Sequence, residues 1–138
     1  MKRFGQIIGV KPEHFEDYKK YHAAVWPEVL EKIKECNIQN YSIFHKDGLL
    51  FAYMEYTGKD FEADMARMAA DPKTQEWWAV MKPMQEPVKN REKDEWWANM
   101  EEVFHLDWIS LNEIDPATKV YMDKSESMYW FILKISIK

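Results

Sequence analysis

The chain has 138 residues, 46% of them hydrophobic and 31% charged, with a formal net charge of −5 at pH 7. That length favours one domain with a core of its own. Acidic and basic residues alternate without blocks, which argues against a nucleic-acid partner, since binding phosphate needs clustered cations. The single cysteine, Cys36, excludes an internal disulfide or a cysteine-rich metal site and is expected as a small buried thiol.

Residues 3–10 read as a strand centred on Ile7 and Ile8. The basic start Met1-Lys2-Arg3 leads into an apolar stretch too short for a signal peptide, interrupted by Gln6 and lacking a small-residue cleavage site. No apolar run approaches the ~20 residues that span a bilayer, so no membrane partner and a cytoplasmic location are expected.

Lys11-Pro12-Glu13 marks a helix start, with proline in the first turn. Helical spacing then runs through Phe15, Tyr18, His22, Val25, Val29 and Ile33. Tyr18, His22 and Trp26 are four residues apart, which predicts one face carrying a phenol, an imidazole and an indole. Such a set suits gripping and protonating a polar ring. The competing reading is a histidine satisfied within helix packing. Pro27 interrupts the pattern and disfavours helical geometry at Trp26, predicting a kink or short break.

A hairpin follows, with arms at 40–45 and 49–56 around Asp47-Gly48, a pair that tolerates positive φ. Alternation puts Tyr41, Ile43 and His45 on one face of the first arm. Residues 59–70 read as a second helix ended by Asp71-Pro72, and 73–84 as another that carries Trp77-Trp78. Adjacent helical positions diverge, so one of these two indoles is expected to face a pocket while the other packs. Residues 86–99 read as a polar loop containing Trp96-Trp97, and 100–106 as a last core strand in which either Glu101 or Glu102 faces inward. The order is β-α-β-β-α-β, a ferredoxin-like α+β arrangement. Helices cover one face of its sheet, and a second copy of the chain is the simplest cover for the other. Beyond 107 the pattern changes: 116–127 is turn-like, and 129–137 alternates as an added edge strand or a tail would.

His22 can both take and give a proton near neutrality. Tyr18 and Tyr41 offer hydroxyls, and Trp77 and Trp78 offer faces for the C–H side of a sugar or for a core. His14, His45 and His105 lack zinc-ligand spacing, so no metal is expected.

The stretch Tyr18-Lys19-Lys20-Tyr21-His22-Ala23-Ala24-Val25-Trp26-Pro27-Glu28 resembles the L-rhamnose mutarotase family. So do Asn40-Tyr41-Ser42-Ile43, Leu49-Leu50-Phe51-Ala52, Gln75-Glu76-Trp77-Trp78 and Met100-Glu101-Glu102-Val103-Phe104. The resemblance covers nearly all of residues 1–107, leaving 108–138 as a C-terminal extension, and the loop 86–99 departs from the family's usual form. It implies a dimeric α+β barrel, a homodimer, and an isomerase that interconverts the α and β anomers of L-rhamnose or a related deoxy sugar without a cofactor. It also implies His22 as the acid/base residue and Tyr18, Tyr41, Trp77 and the adjacent Trp78 as sugar contacts. Two alternatives stay open from the residues: a non-catalytic sugar-binding or assembly module, and a cofactor-free monooxygenase on the same fold.

Overall fold

The computed structural model describes residues 1–106, so the extension at 108–138 and its alternating segment lie outside the described residues. Met1–Val103 form one compact unit; all but the first three residues of a second, Phe104–Lys138, fall outside the described ones.

The elements in chain order are β1 (Lys2–Val10), α1 (Phe15–Ala23), α2 (Pro27–Glu35), β2 (Ile38–Lys46) and β3 (Leu49–Tyr56). They continue with α3 (Phe61–Ala70), α4 (Pro72–Met81), β4 (Gln85–Glu86) and β5 (Ala98–Met100). The sheet is antiparallel in the order β2-β3-β1-β4, with β5 also on β1. None of these helices is long and apolar enough to cross a membrane.

Proline and aspartate set the helix boundaries. Pro27 and Pro72 each occupy the first turn, where a missing N–H costs nothing. Asp60 and Asp71 accept from the backbone N–H of Ala63 and Thr74 at 3.0 and 2.8 Å, capping α3 and α4. The expected kink before Pro27 is a complete break. Ala24 leaves helical geometry (φ −142°) and Trp26 is extended (φ −58°, ψ 132°). Trp26 therefore does not continue the stripe of Tyr18 and His22, because the helix that would carry it ends at Ala23.

The turn between β2 and β3 is the expected Asp47-Gly48 pair, with φ of 50° and 78°. A bulge interrupts β2, where Asn40 and Tyr41 together oppose Met54 between the pairs Gln39↔Glu55 and Ser42↔Tyr53. Asn40 takes φ 49° there and donates to Glu55 at 2.6 Å. Ile43 and His45 stand opposite Ala52 and Leu50 and share their helix-covered face.

Ile8, Val10, Leu50 and Tyr18 form the main core with Val29, Trp77 and Met81; a second cluster holds Cys36, Ile38, Met54, Tyr56 and Met68. Cys36 is fully buried, as expected.

The end of the sheet differs from the sequence expectation. Instead of one strand at 100–106, the outer edge of β1 is served by two fragments: β4 at Gly9–Val10 and β5 at Gly5–Ile7. Residues 87–97 make an excursion between them. Residues 101–106 are irregular and exposed. Neither glutamate there turns inward: Glu102 meets the Arg3 guanidinium with both oxygens, at 2.8 and 3.0 Å, in place of a strand ladder.

Candidate active site around His22

One turn of α1 stacks the His22 imidazole on the Tyr18 ring, with centroids 4.1 Å apart. His22 Nδ1 lies 2.9 Å from the Tyr18 carbonyl oxygen. A carbonyl only accepts, so Nδ1 carries the hydrogen and donates it, and Nε2 holds a lone pair. The imidazole is half-buried. Burial lowers its pKa below 6.5, and the carbonyl bond opposes this less strongly.

Trp77 is the other wall. It is 7% exposed and meets His22 edge-on at 5.5 Å. Tyr21 and Trp26 also meet its ring edge-on, at 6.2 and 5.3 Å. Trp26 thus rejoins Tyr18 and His22 through Trp77 rather than along a helix face. Trp77 is itself a member of the main buried core, whereas Trp78 is half-buried and packs against both core clusters, with the Lys82 ammonium 5.6 Å from its ring centre.

The Tyr18 ring is 3% exposed, and burial raises its hydroxyl pKa well above 10; Gln85 pulls it back and Tyr41 adds to the rise. Tyr41 is 41% exposed, and burial pushes its hydroxyl pKa up to about 12. Both phenols keep their hydrogens across the physiological range and serve as hydrogen-bonding groups. On the same strand as Tyr41, His45 stacks on Phe15, with ring centroids 3.8 Å apart.

An open cleft of about 730 Å³ runs along α1, lined by residues including Tyr21, Ala24, Trp26 and Met84. Its lining includes none of Tyr18, His22, Tyr41, Trp77 and Trp78. It flanks the imidazole by way of Tyr21 and Trp26, which, like His22, meet the Trp77 ring edge-on.

The structure therefore brings Tyr18 and Trp77 each into ring contact with His22, with Trp77 in the buried core and Trp78 half-buried beside it, and places Tyr41 within electrostatic reach of the Tyr18 hydroxyl. It adds Tyr21, three residues from Tyr18 on the same helix, whose spacing was a usable signal. It also adds Gln85 and Trp96. Gln85, 7% exposed, accepts from Trp96 Nε1 at 2.8 Å; a lone glutamine before a polar loop carries no such signal in the sequence.

A family model described as L-rhamnose mutarotase matches residues 3–106. The chain is 38% identical over 110 residues to an L-rhamnose mutarotase of Ligilactobacillus salivarius, covering 76% of this chain and 97% of that one. It is 35% identical over 109 residues to one from Oceanobacillus iheyensis, covering 78% of this chain and all of that one. Among solved structures it is similar to an L-rhamnose mutarotase from Formosa agariphila, with TM-score 0.61 and 23% identity, covering 78% of this chain and 100% of that one. A tetracenomycin F2 cyclase from Streptomyces glaucescens has a similar fold, with TM-score 0.56 and 17% identity, covering 80% of this chain and 99% of that one.

Proposed function

The chain belongs to the L-rhamnose mutarotase family, and on that premise we propose that it exchanges the anomers of L-rhamnose with His22 as the proton carrier. It is an isomerase acting on a carbohydrate.

The observation that carries this reading is the His22 Nδ1 bond to the Tyr18 carbonyl. It leaves Nε2 as a base inside an aromatic cluster. Nε2 takes the O1 hydrogen while the O–H electron pair forms the C1 carbonyl and the C1–O5 pair moves to O5. The imidazolium returns the proton to O5. Rotation about C1–C2 presents the other carbonyl face, and the reverse steps close the ring. Tyr18 and Tyr41, held protonated by burial, orient sugar hydroxyls, and the Trp77 indole backs the apolar side with Trp78 beside it. Sugar specificity among deoxy sugars falls to the hydroxyl partners, because a site built to bond a given hydroxyl discriminates strongly against its absence.

We also read the uncovered sheet face as the contact with a second copy, giving a homodimer.

Saturation-transfer NMR on L-rhamnose measures the exchange directly. His22→Ala is expected to keep the fold and sugar binding while losing roughly 10²–10⁴-fold in exchange rate, the worth of one positioned acid/base group. Full activity in that variant removes His22 from the mechanism.

A further inference from the structure

Resting on the reading of the His22 cluster as a sugar site, we propose that Gln6, aimed by Asn99 and Glu95, is a specificity-determining contact whose amide oxygen accepts from one ring hydroxyl of the bound deoxy sugar.

Gln6 is the residue that interrupts the apolar run of β1. Its neighbours on the same side of the strand are Phe4 and Ile8. Phe4 stacks on Phe61 of α3 with centroids 4.4 Å apart, and Ile8 is fully buried in the cluster that holds Tyr18 and Trp77. Alternation therefore puts Gln6 on the helix-covered face, about 7 Å along the strand from Ile8. It stands between Ala52 and Asn99 in the sheet, and Ala52 stands across from Ile43. This row crosses four strands and separates the two core clusters, with Ile8 and Leu50 to one side and Met54 to the other. Ile43 packs against the cluster of Tyr18, and Tyr41 lies two residues before it on β2. Ile8 and Leu50 are sealed, whereas Gln6 is half-buried. A polar side chain on a core-facing row costs free energy unless its groups find partners.

Hydrogen bonds fix which end of the amide is offered. The Glu95 carboxylate only accepts. Asn99 Nδ2 donates to its Oε1, which turns Asn99 Oδ1 toward Gln6. Gln6 Nε2 donates to that oxygen at 3.0 Å. Gln6 Oε1 is thereby turned away from Asn99. Among the described residues nothing donates to it, and it is not sealed, so it is an acceptor within reach of a ligand. The charge at the far end strengthens the chain. The excursion at 87–97 supplies that charge: the Glu92 backbone N–H donates to Glu95 Oε2 at 3.1 Å, and Arg91 Nε donates to the Glu95 carbonyl oxygen at 2.8 Å. An accepting oxygen takes a hydroxyl and gives nothing to the methyl group of a deoxy sugar, so it reads where on the ring a hydroxyl stands. Asn99 and Glu95 act through Gln6 and are positioning residues.

The test is anomer exchange by saturation-transfer NMR, with kcat and KM resolved separately, on L-rhamnose and on three analogues that each lack one hydroxyl, at C2, C3 or C4. Gln6→Met keeps the length of the side chain and removes the acceptor. It is expected to lower kcat/KM for L-rhamnose about ten-fold, the scale of one hydrogen bond. On the analogue that lacks the hydroxyl read by Gln6, variant and wild type are expected to perform alike. No loss on L-rhamnose, or a loss of equal size on all four sugars, overturns the proposal. Asn99→Ala, at an exposed position, leaves the Gln6 amide in place but frees it to turn. It is expected to show a smaller loss with the same pattern, and it decides the matter should Gln6→Met not fold. A wild-type pattern in Asn99→Ala overturns the aiming.

A direct readout uses binding alone. L-Rhamnose is expected to move the Gln6 side-chain amide signals in a ¹H–¹⁵N spectrum, and unmoved signals overturn the contact. Failure of the wild-type chain to accelerate exchange, by contrast, removes the mutarotase reading while the Gln6 amide still reports whether a sugar binds beside it.

Discussion

One hydrogen bond settles the proton inventory of His22. With Nδ1 committed to the Tyr18 carbonyl and burial lowering the pKa, the neutral imidazole is the resting form at neutral pH. The folded pKa lies below the ordinary 6.5, so the unfolded chain binds more protons in the window between the two values. The stability contributed by this group is complete above 6.5 and is lost as pH falls through that window. Catalysis follows the same sign: kcat, corrected for the uncatalysed exchange, is expected to fall on acidification with a midpoint below 6.5. A rate that instead rises as pH drops through 6.5 identifies the imidazolium as the working form and contradicts the assignment. On the alkaline side Tyr41, at about 12, adds no limb where a free phenol would, near 10. The residue types of this site were legible from the stripe Tyr18–His22 and from Trp77. The tautomer was not, because it depends on the Tyr18 carbonyl meeting the imidazole nitrogen within the folded helix.

Local chemistry at the element scale explains what could be read and what could not. Asp47-Gly48 and Pro27 act within a few residues, so the hairpin and the helix break follow from the sequence alone. The fourth strand depends on distant pairing. Residues 100–106 carry strand-like residues, but β1 takes only Ala98–Met100 from that end, and the Arg3–Glu102 ion pair occupies the next step. Two-residue β4 was invisible because its pairing is fixed by Gly9. A Cβ at Gly9 would lie 2.7 Å from the Glu86 carbonyl oxygen, a backbone atom that can yield only if β4 moves as a whole. Gly9→Ala is therefore expected to cost about 1–3 kcal/mol, the range for forced overpacking, and to carry Gln85 away from its place beside Val10. Thermal unfolding followed by circular dichroism measures the first effect, and the Trp96 indole resonance the second. An unchanged melting midpoint shows that β4 yields freely.

At the scale of the whole molecule, the two faces of the sheet differ in what covers them. Helices bury the face bearing Ile8, Leu50, Ala52 and Tyr56. On the opposite face Ile7 stands across from Phe51, and Phe51 across from Phe44, giving an apolar strip over three strands. Phe44 is 64% exposed, and Met100, at 41%, lies against Gly5 on the same side. Polar groups bound one end of the strip, where Arg3, paired with Glu102, stands across from Glu55, which accepts from Gln39, Asn40 and Tyr53. An exposed apolar strip of this kind is suited to a second copy related by a two-fold axis, the contact proposed for the homodimer. Phe51→Asp places a charge at its centre while leaving the helix-side core intact. The wild-type chain is expected to sediment as a dimer and the variant as a folded monomer with unchanged helix signal. A monomeric wild-type chain removes the dimer reading. Tyr18, His22, Trp77 and Gln85 all come from one chain and lie on the other side of the strands. The monomeric variant is therefore expected to retain L-rhamnose exchange within a few-fold. Loss of exchange in a folded monomer requires that the second copy complete or brace the site across the sheet.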